Sequence, residues 1–122
     1  MKILVVEDDD LYRNIIYKVL CKDGHEVETF ANGNEALEAI KNGIFDVLVT
    51  DMVLPGTEGI ELVAEIKQSR PEVRVVAISG SGWVGHSTYL AVAQAHGADA
   101  LLEKPFTADQ LLAEISAGST DA

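Results

Sequence analysis

The chain has 122 residues, 9 basic and 20 acidic side chains, a formal charge of −11 and 48% hydrophobic residues. These values describe one globular domain whose core needs no disulfide or structural metal. Nucleic acid and anionic membranes are unfavourable partners, because binding either normally requires a basic patch. Cys21 is the single cysteine and lies in an apolar helical stripe, which predicts a buried thiol. Only four apolar residues lie between Lys2 and Glu7, too few for a signal peptide or membrane span, so we expect a cytoplasmic protein.

The first half of the chain alternates predicted strands with predicted helices. Residues 3–6 are continuously apolar, which is typical of a strand buried on both faces. The helix that follows has an apolar stripe formed by Leu11, Ile15, Ile16, Val19 and Leu20. Residues 25–30 alternate polar and apolar side chains and predict a half-exposed edge strand. A second one-sided helix carries its apolar positions at Ala36, Leu37 and Ile40.

The second half repeats this pattern three times. Residues 47–50 and 75–78 are again continuously apolar strands, and residues 98–103 predict a weaker fifth strand. The three helices have their apolar positions at Ile60, Val63 and Ile66, at residues 89–95, and at Leu111, Leu112 and Ile115. Alternating strands and helices with short connections require a parallel sheet with helices on both faces. We therefore expect an α/β, doubly wound three-layer sandwich over residues 1–118, with a frayed tail at 119–122.

Polar residues follow four of the predicted strands. Glu7 to Asp10 follow strand one, Asp51 strand three, Ser79 strand four and Lys104 strand five. In a doubly wound sheet, ligands bind beyond these carboxyl ends, where the winding direction reverses. Two carboxylates about 4 Å apart repel by roughly 4 kcal/mol at an effective dielectric constant near 20. Mg²⁺ is the expected counter-ion, because it prefers a few carboxylates together with water and phosphate oxygens.

The acids after strand one divide into two pairs. Glu7 and Asp8 end a buried strand and are predicted metal ligands. Asp9 and Asp10 are better explained as acids that favour the N-terminus of the first helix through its dipole.

The end of the third strand suggests a nucleophile. Asp51 can attack phosphorus, because phosphoryl transfer needs chiefly in-line positioning and neutralised charge, which a metal and Lys104 would supply. Ser79 can donate its hydroxyl group to the resulting phosphoryl oxygens. The joint placement of these residues carries the prediction, since each alone is a weak signal.

The motifs at residues 3–8 (ILVVED), 51–56 (DMVLPG), 78–80 (ISG) and 104–106 (KPF) together resemble the receiver domain of response regulators. The resemblance spans essentially the whole chain and implies a flavodoxin-like fold with five helices and the strand order 2-1-3-4-5. It implies that Asp51 is both phosphoacceptor and metal ligand. It also implies roles for five other positions: Glu7 and Asp8 as metal-site acids, the backbone carbonyl of Val53 as a metal ligand, Ser79 as the switch hydroxyl, and Lys104, before a cis proline bond, as the phosphoryl-pairing base.

The function implied is a two-component signalling switch and not an enzyme with a separate substrate. Asp51 would accept a phosphoryl group, with Mg²⁺, from a histidine kinase or histidine phosphotransfer protein, and the altered surface would bind a downstream protein. The identities of these proteins and the oligomeric state, a homodimer included, stay open. The main alternative is a phosphorylation-independent interaction module. An Asp-dependent phosphohydrolase would need a second acid two residues after Asp51, where this chain has Val53. A flavin-binding electron carrier is also disfavoured, because the acids after strand one would repel the flavin phosphate.

Two departures from the family pattern bear on signalling. Leu101 stands where receivers commonly have Tyr or Phe, and Trp83, Tyr89 and Phe106 are the available aromatic substitutes. Val53 offers no polar side chain to orient attacking water, which predicts a persistent phosphorylation.

Residues 80–85 spell G-x-G-x-x-G, which in a dinucleotide-binding protein follows the first strand. Here the motif lies at the fourth strand-to-helix turn. It therefore predicts a mobile loop that rearranges around phosphorylated Asp51, and not a dinucleotide site.

Overall fold

The computed structural model describes residues 1–52, 59–79 and 97–117. The strands are β1 (Lys2–Val6), β2 (Glu26–Phe30), β3 (Val47–Asp51), β4 (Arg74–Ser79) and β5 (Ala100–Glu103). The helices of the described ranges are α1 (Asp10–Lys22), α2 (Gly33–Asn42), α3 (Gly59–Ser69) and α4 (Ala108–Ser116). The predicted helix at residues 89–95 and the predicted tail lie outside these ranges. None of the described helices is long and apolar enough to cross a membrane.

The five strands form one parallel sheet in the order β2-β1-β3-β4-β5, which confirms the predicted fold. The register places the ends of neighbouring strands side by side. Asp51 of β3 pairs with Ile78 of β4, and Ser79 of β4 pairs with Glu103 of β5. The residues that end β3, β4 and β5 therefore reach the same edge of the sheet.

The sheet is covered by apolar side chains on both faces, as the continuous apolar runs predicted. Side chains along a strand alternate between faces, so each central strand contributes to two core clusters. One face packs against α2 and α3, with Leu4, Leu48, Val75, Ile40 and Ile66 in its cluster. The opposite face packs against α1 and α4, with Val5, Val49, Ile78, Ile16 and Ile115 in its cluster. The two layers hold the central strands rigidly beneath the polar edge.

The predicted buried stripe of α1 is wider than the face that the sheet covers. Ile16 and Leu20 are fully buried, whereas Leu11 is 66% exposed and Ile15 is 43% exposed. Consecutive helical residues are about 100° apart, so the positions next to the buried pair turn toward solvent. Cys21 follows Leu20 in this way and is exposed, so the prediction of a buried thiol was wrong.

Candidate functional site

Three carboxylates meet at the carboxyl edge of the sheet. Glu7 directly follows β1, and its backbone N–H donates to the Phe30 carbonyl 3.0 Å away, which extends the strand pairing. The Glu7 side chain is fully buried, Asp51 at the end of β3 is buried as well, and Asp8 is exposed. One ligand oxygen from each of Glu7, Asp8 and Asp51 lies within 4.8 Å of the others. The structure thus brings together the three acidic side chains that the sequence predicts as metal ligands.

The ammonium group of Lys104 lies against two of these acids. It forms an ion pair with Oε1 of Glu7 and a longer one, 3.4 Å, with Oδ2 of Asp51. The backbone N–H of Lys104 donates to the Ser79 carbonyl at 2.9 Å, and the peptide bond to Pro105 is cis, as predicted. The loop after β5 therefore places one positive charge beside the carboxylates.

The charges at this edge shift each other's proton affinity. Burial, and next the hydrogen bond shared with Asp51, raise the pKa of Glu7 to about 8, although Lys104 acts in the opposite direction. Burial by itself lowers the pKa of Lys104, but Glu7 and Asp51 outweigh it and leave the ammonium pKa above its ordinary value. The negative charge in the site therefore exceeds what one lysine stabilises, and these acids form a donor set of the kind that holds Mg²⁺.

The hydroxyl group of Ser79 has an unusual environment. Ser79 ends β4 with only 2% of its surface exposed, and its Oγ has no hydrogen-bond partner among the described residues. Buried polar atoms are nearly always paired, so an unpaired one calls for an explanation. A ligand oxygen that enters the site would supply the missing partner.

The first turn of α1 stabilises the acidic loop. Asp9 caps the helix by accepting hydrogen bonds from the N–H groups of Leu11, at 2.9 Å, and Tyr12, at 3.3 Å, which confirms the helix-terminus interpretation. Arg13 forms an ion pair with Asp10 and donates from Nη1 to the backbone carbonyl of Glu7 at 2.9 Å. The sequence interpretation missed Arg13, although the i, i+3 spacing from Asp10 is a signal for such a pair.

The aromatic rings near Lys104 were also not fully anticipated. The rings of Tyr12 and Phe106 are 5.8 Å apart between centroids, and Nζ of Lys104 is 4.5 Å from the Tyr12 centroid.

Leu101 is half-buried and packs against the Met52 and Ala77 cluster. The predicted carbonyl ligand of Val53, the glycine loop at 80–85, and two of the aromatic substitutes, Trp83 and Tyr89, lie outside the described residues.

Comparison with known sequences identifies the family. The family model described as "Response regulator receiver domain" matches residues 3–116. The chain belongs to the response regulator receiver domain family. It is therefore a receiver domain of the type found in two-component response regulators.

Individual relatives agree with this assignment. The transcriptional regulatory protein TcrA of Mycobacterium tuberculosis is 35% identical over 117 residues, which are 96% of this chain and 45% of TcrA. The chain thus spans less than half the length of that relative. A CheY-like receiver domain protein from Methanospirillum hungatei superimposes with a TM-score of 0.86 and 30% identity, covering 95% of this chain and 90% of that one. The BeF3-activated DrrB receiver domain gives a TM-score of 0.86 and 31% identity, covering 96% and 95%.

Proposed function

We propose that this receiver domain is a phosphoacceptor switch, in which Asp51 takes a phosphoryl group from a histidine kinase or histidine phosphotransfer protein in the cytoplasm. The observation that carries the proposal is the placement of Asp51. Its carboxylate is buried at a strand end, within reach of two further acids and of the Lys104 ammonium. The side chains proposed as nucleophile, metal ligands and cation thus share one edge of the sheet, where the proposed chemistry would need them.

Glu7, Asp8 and Asp51 would hold Mg²⁺, together with the backbone carbonyl of Val53. When bound, Mg²⁺ neutralises part of the charge on the phosphoryl oxygens. Since Glu7 has a raised pKa of about 8, its carboxyl group must give up a proton to serve as a ligand near neutral pH. Metal binding and deprotonation of Glu7 are therefore linked.

The transfer step uses a carboxylate oxygen of Asp51 as the nucleophile. This oxygen forms the new bond to phosphorus while the bond from phosphorus to the donor imidazole nitrogen breaks. The electron pair of the broken bond stays on the nitrogen. The other ring nitrogen of the phosphohistidine carries a proton, so the imidazole leaves as a neutral histidine on the donor. The Asp51 carboxylate carries no proton to be removed, so no side chain has to act as a general base. Lys104 would pair with the phosphoryl oxygens and offset their charge.

The switch follows from the charge that is added. An aspartyl phosphate places about one and a half to two negative charges beside Ser79 and Lys104. The Ser79 hydroxyl, which has no hydrogen-bond partner among the described residues, can then donate to a phosphoryl oxygen, and Lys104 can move from Glu7 toward the new anion. These movements favour a second conformation, whose surface a downstream protein binds.

Intact-protein mass spectrometry tests this function. The chain is incubated with acetyl phosphate and Mg²⁺, beside Asp51→Asn and beside wild type with a chelator. We expect one added phosphoryl group in the wild type and none in either control. If folded, Mg²⁺-binding wild type gains no mass, the proposal is contradicted and the phosphorylation-independent interaction module is favoured instead.

A further inference from the structure

The Lys104 ammonium has an aromatic partner in addition to its two acids. The ammonium forms ion pairs with Glu7 and Asp51 and donates a hydrogen bond to Asp51 Oδ2. The ring of Tyr12 lies 4.5 Å from Nζ, inside the range of about 6 Å within which a cation is attracted to an aromatic face. The Lys104 side chain is only 14% exposed, and this desolvation strengthens the attraction.

The Tyr12 ring is itself held in place. Its backbone N–H donates to the capping carboxylate of Asp9, so the residue belongs to a fixed first turn of α1. Its ring packs against Phe106 at a centroid distance of 5.8 Å and an interplanar angle of 46°. Phe106 in turn packs against the core cluster between the sheet, α1 and α4. The ring thus offers the flexible lysine a rigid surface.

We propose that Tyr12 is a positioning residue whose ring holds the Lys104 ammonium beside Asp51 for phosphoryl transfer. This inference rests on the proposed function. Lysine has a long, flexible stem, and its closer ion pair is with Glu7, not with the nucleophile. A ring on the ammonium limits the orientations that it can adopt and excludes water from that side, so that the charge stays available to the phosphoryl oxygens.

A series of substitutions separates this role from simple packing. Tyr12→Phe and Tyr12→Trp keep an aromatic face, whereas Tyr12→Leu keeps an apolar side chain without one. With acetyl phosphate and Mg²⁺, we expect the Phe and Trp variants to be phosphorylated within about twofold of wild type, and the Leu variant about three- to tenfold more slowly. Circular dichroism and thermal unfolding establish that all three variants fold.

A double-mutant cycle tests whether Tyr12 acts through Lys104. In a Lys104→Met background, replacing Tyr12 with Leu should change the phosphorylation rate by less than about twofold, because the cation is already absent. NMR gives a readout that does not depend on phosphorylation. The Lys104 ε-methylene protons should show an upfield ring-current shift in wild type and Tyr12→Phe, and lose it in Tyr12→Leu.

The outcomes discriminate between the two proposals. If wild type is phosphorylated and Tyr12→Leu reacts equally fast, or if the slowing persists in the Lys104→Met background, the positioning role is overturned while the proposed function stands. If wild type itself takes no phosphoryl group, the proposed function fails and the role of Tyr12 fails with it. Slowing that depends on both the ring and Lys104, together with the NMR shift, supports the inference.

Discussion

Charged side chains lie at both ends of the parallel strands: at the amino edge, where the strands begin, and at the carboxyl edge, where they end. The two edges differ in how completely these charges are paired. At the amino edge, Lys67 Nζ pairs with Asp99 at 2.7 Å and donates to the Val73 carbonyl at 2.7 Å. The same Asp99 oxygen accepts from the Val75 N–H at 2.8 Å. Arg74 likewise donates to the backbone and side chain of Glu114. Charge is therefore balanced locally at this edge.

The carboxyl edge is not balanced in this way. The ammonium of Lys104 faces a cluster of three acids, and the buried Ser79 hydroxyl has no hydrogen-bond partner among the described residues. Groups at the amino edge already have the partners that stabilise the fold. Under the proposed function, those at the carboxyl edge would gain theirs when a cation and a phosphoryl group bind. The difference separates residues whose pairing maintains the structure from residues that the proposed function assigns to ligand binding.

The largest expected effect compares one lysine from each edge. Lys104→Met should slow phosphorylation of Asp51 by about a hundredfold, because it removes a charge aimed at the transferred group. Lys67→Met should leave the rate within about twofold of wild type, because its ammonium serves only the opposite edge. Both rates are measured by intact mass over time with acetyl phosphate. Equal slowing in both variants would refute a functional division between the edges.

The free energy of unfolding, unlike the phosphorylation rate, should depend on Lys67. Lys67→Met leaves Asp99 and the Val73 carbonyl without their cation, and should lower the free energy of unfolding by about 1–3 kcal/mol. Lys18→Met, at an exposed position of α1, is the matched control and should change stability by less than about 0.5 kcal/mol. Urea unfolding measures both. Similar shifts for the two variants would show that the paired amino edge contributes little.

Glu7 makes the stability of the carboxyl edge depend on pH. Its pKa of about 8 in the folded protein exceeds the ordinary 4.5, so folding favours the protonated form. The resulting stabilisation is complete below pH 4.5 and is lost as the pH rises through 8. Without Mg²⁺, wild type should lose about 2–3 kcal/mol relative to Glu7→Gln between pH 6 and pH 8.5.

Mg²⁺ should counteract this loss. The ion must displace a proton from Glu7, so its apparent affinity for wild type should rise with pH until Glu7 is ionised near pH 8. Glu7→Gln should bind Mg²⁺ more weakly and with little pH dependence over this range. Calorimetric titrations at several pH values measure both properties. Parallel pH profiles for the two proteins would contradict the raised pKa of Glu7.

The smallest expected effects separate the roles of two neighbouring acids at the carboxyl edge, Asp8 and Asp9. Asp9→Ala removes the α1 cap and should cost about 1 kcal/mol of stability while leaving Mg²⁺ affinity unchanged. Asp8→Ala should weaken Mg²⁺ binding by about tenfold or more with little loss of stability. If Asp9→Ala also abolishes Mg²⁺ binding, the separation between capping and ligand acids is wrong.

The sequence predicts the fold and the edge of the site well, for physical reasons. Continuous apolar runs identify strands covered on both faces, and parallel strands necessarily bring Asp51, Ser79 and Lys104 to one edge. The width of the α1 face that the sheet covers depends on helix packing. Ile15 and Cys21 were therefore predicted to be buried, whereas both are exposed.

Contacts between residues distant in sequence were not predictable. Periodicity reports which face of an element is apolar, but not which side chains of two elements touch. Lys67 with Asp99, and Lys104 with Tyr12, are such pairs, and both emerge only when the elements are assembled. The raised pKa of Glu7 has the same origin, since it depends on burial and on Asp51 at the end of β3, with Lys104 from the loop after β5 acting in the opposite direction.

The most direct measurement locates the phosphoryl group on the chain. Wild type treated with acetyl phosphate and Mg²⁺ is reduced with borohydride, which converts an aspartyl phosphate to homoserine, and is then digested and sequenced by mass spectrometry. We predict homoserine at position 51 and at no other acid of the cluster. Homoserine at Asp8 or elsewhere, 5-hydroxynorvaline at Glu7, or the absence of homoserine from protein that has gained phosphoryl mass, would contradict the assignment of Asp51 as the phosphoacceptor.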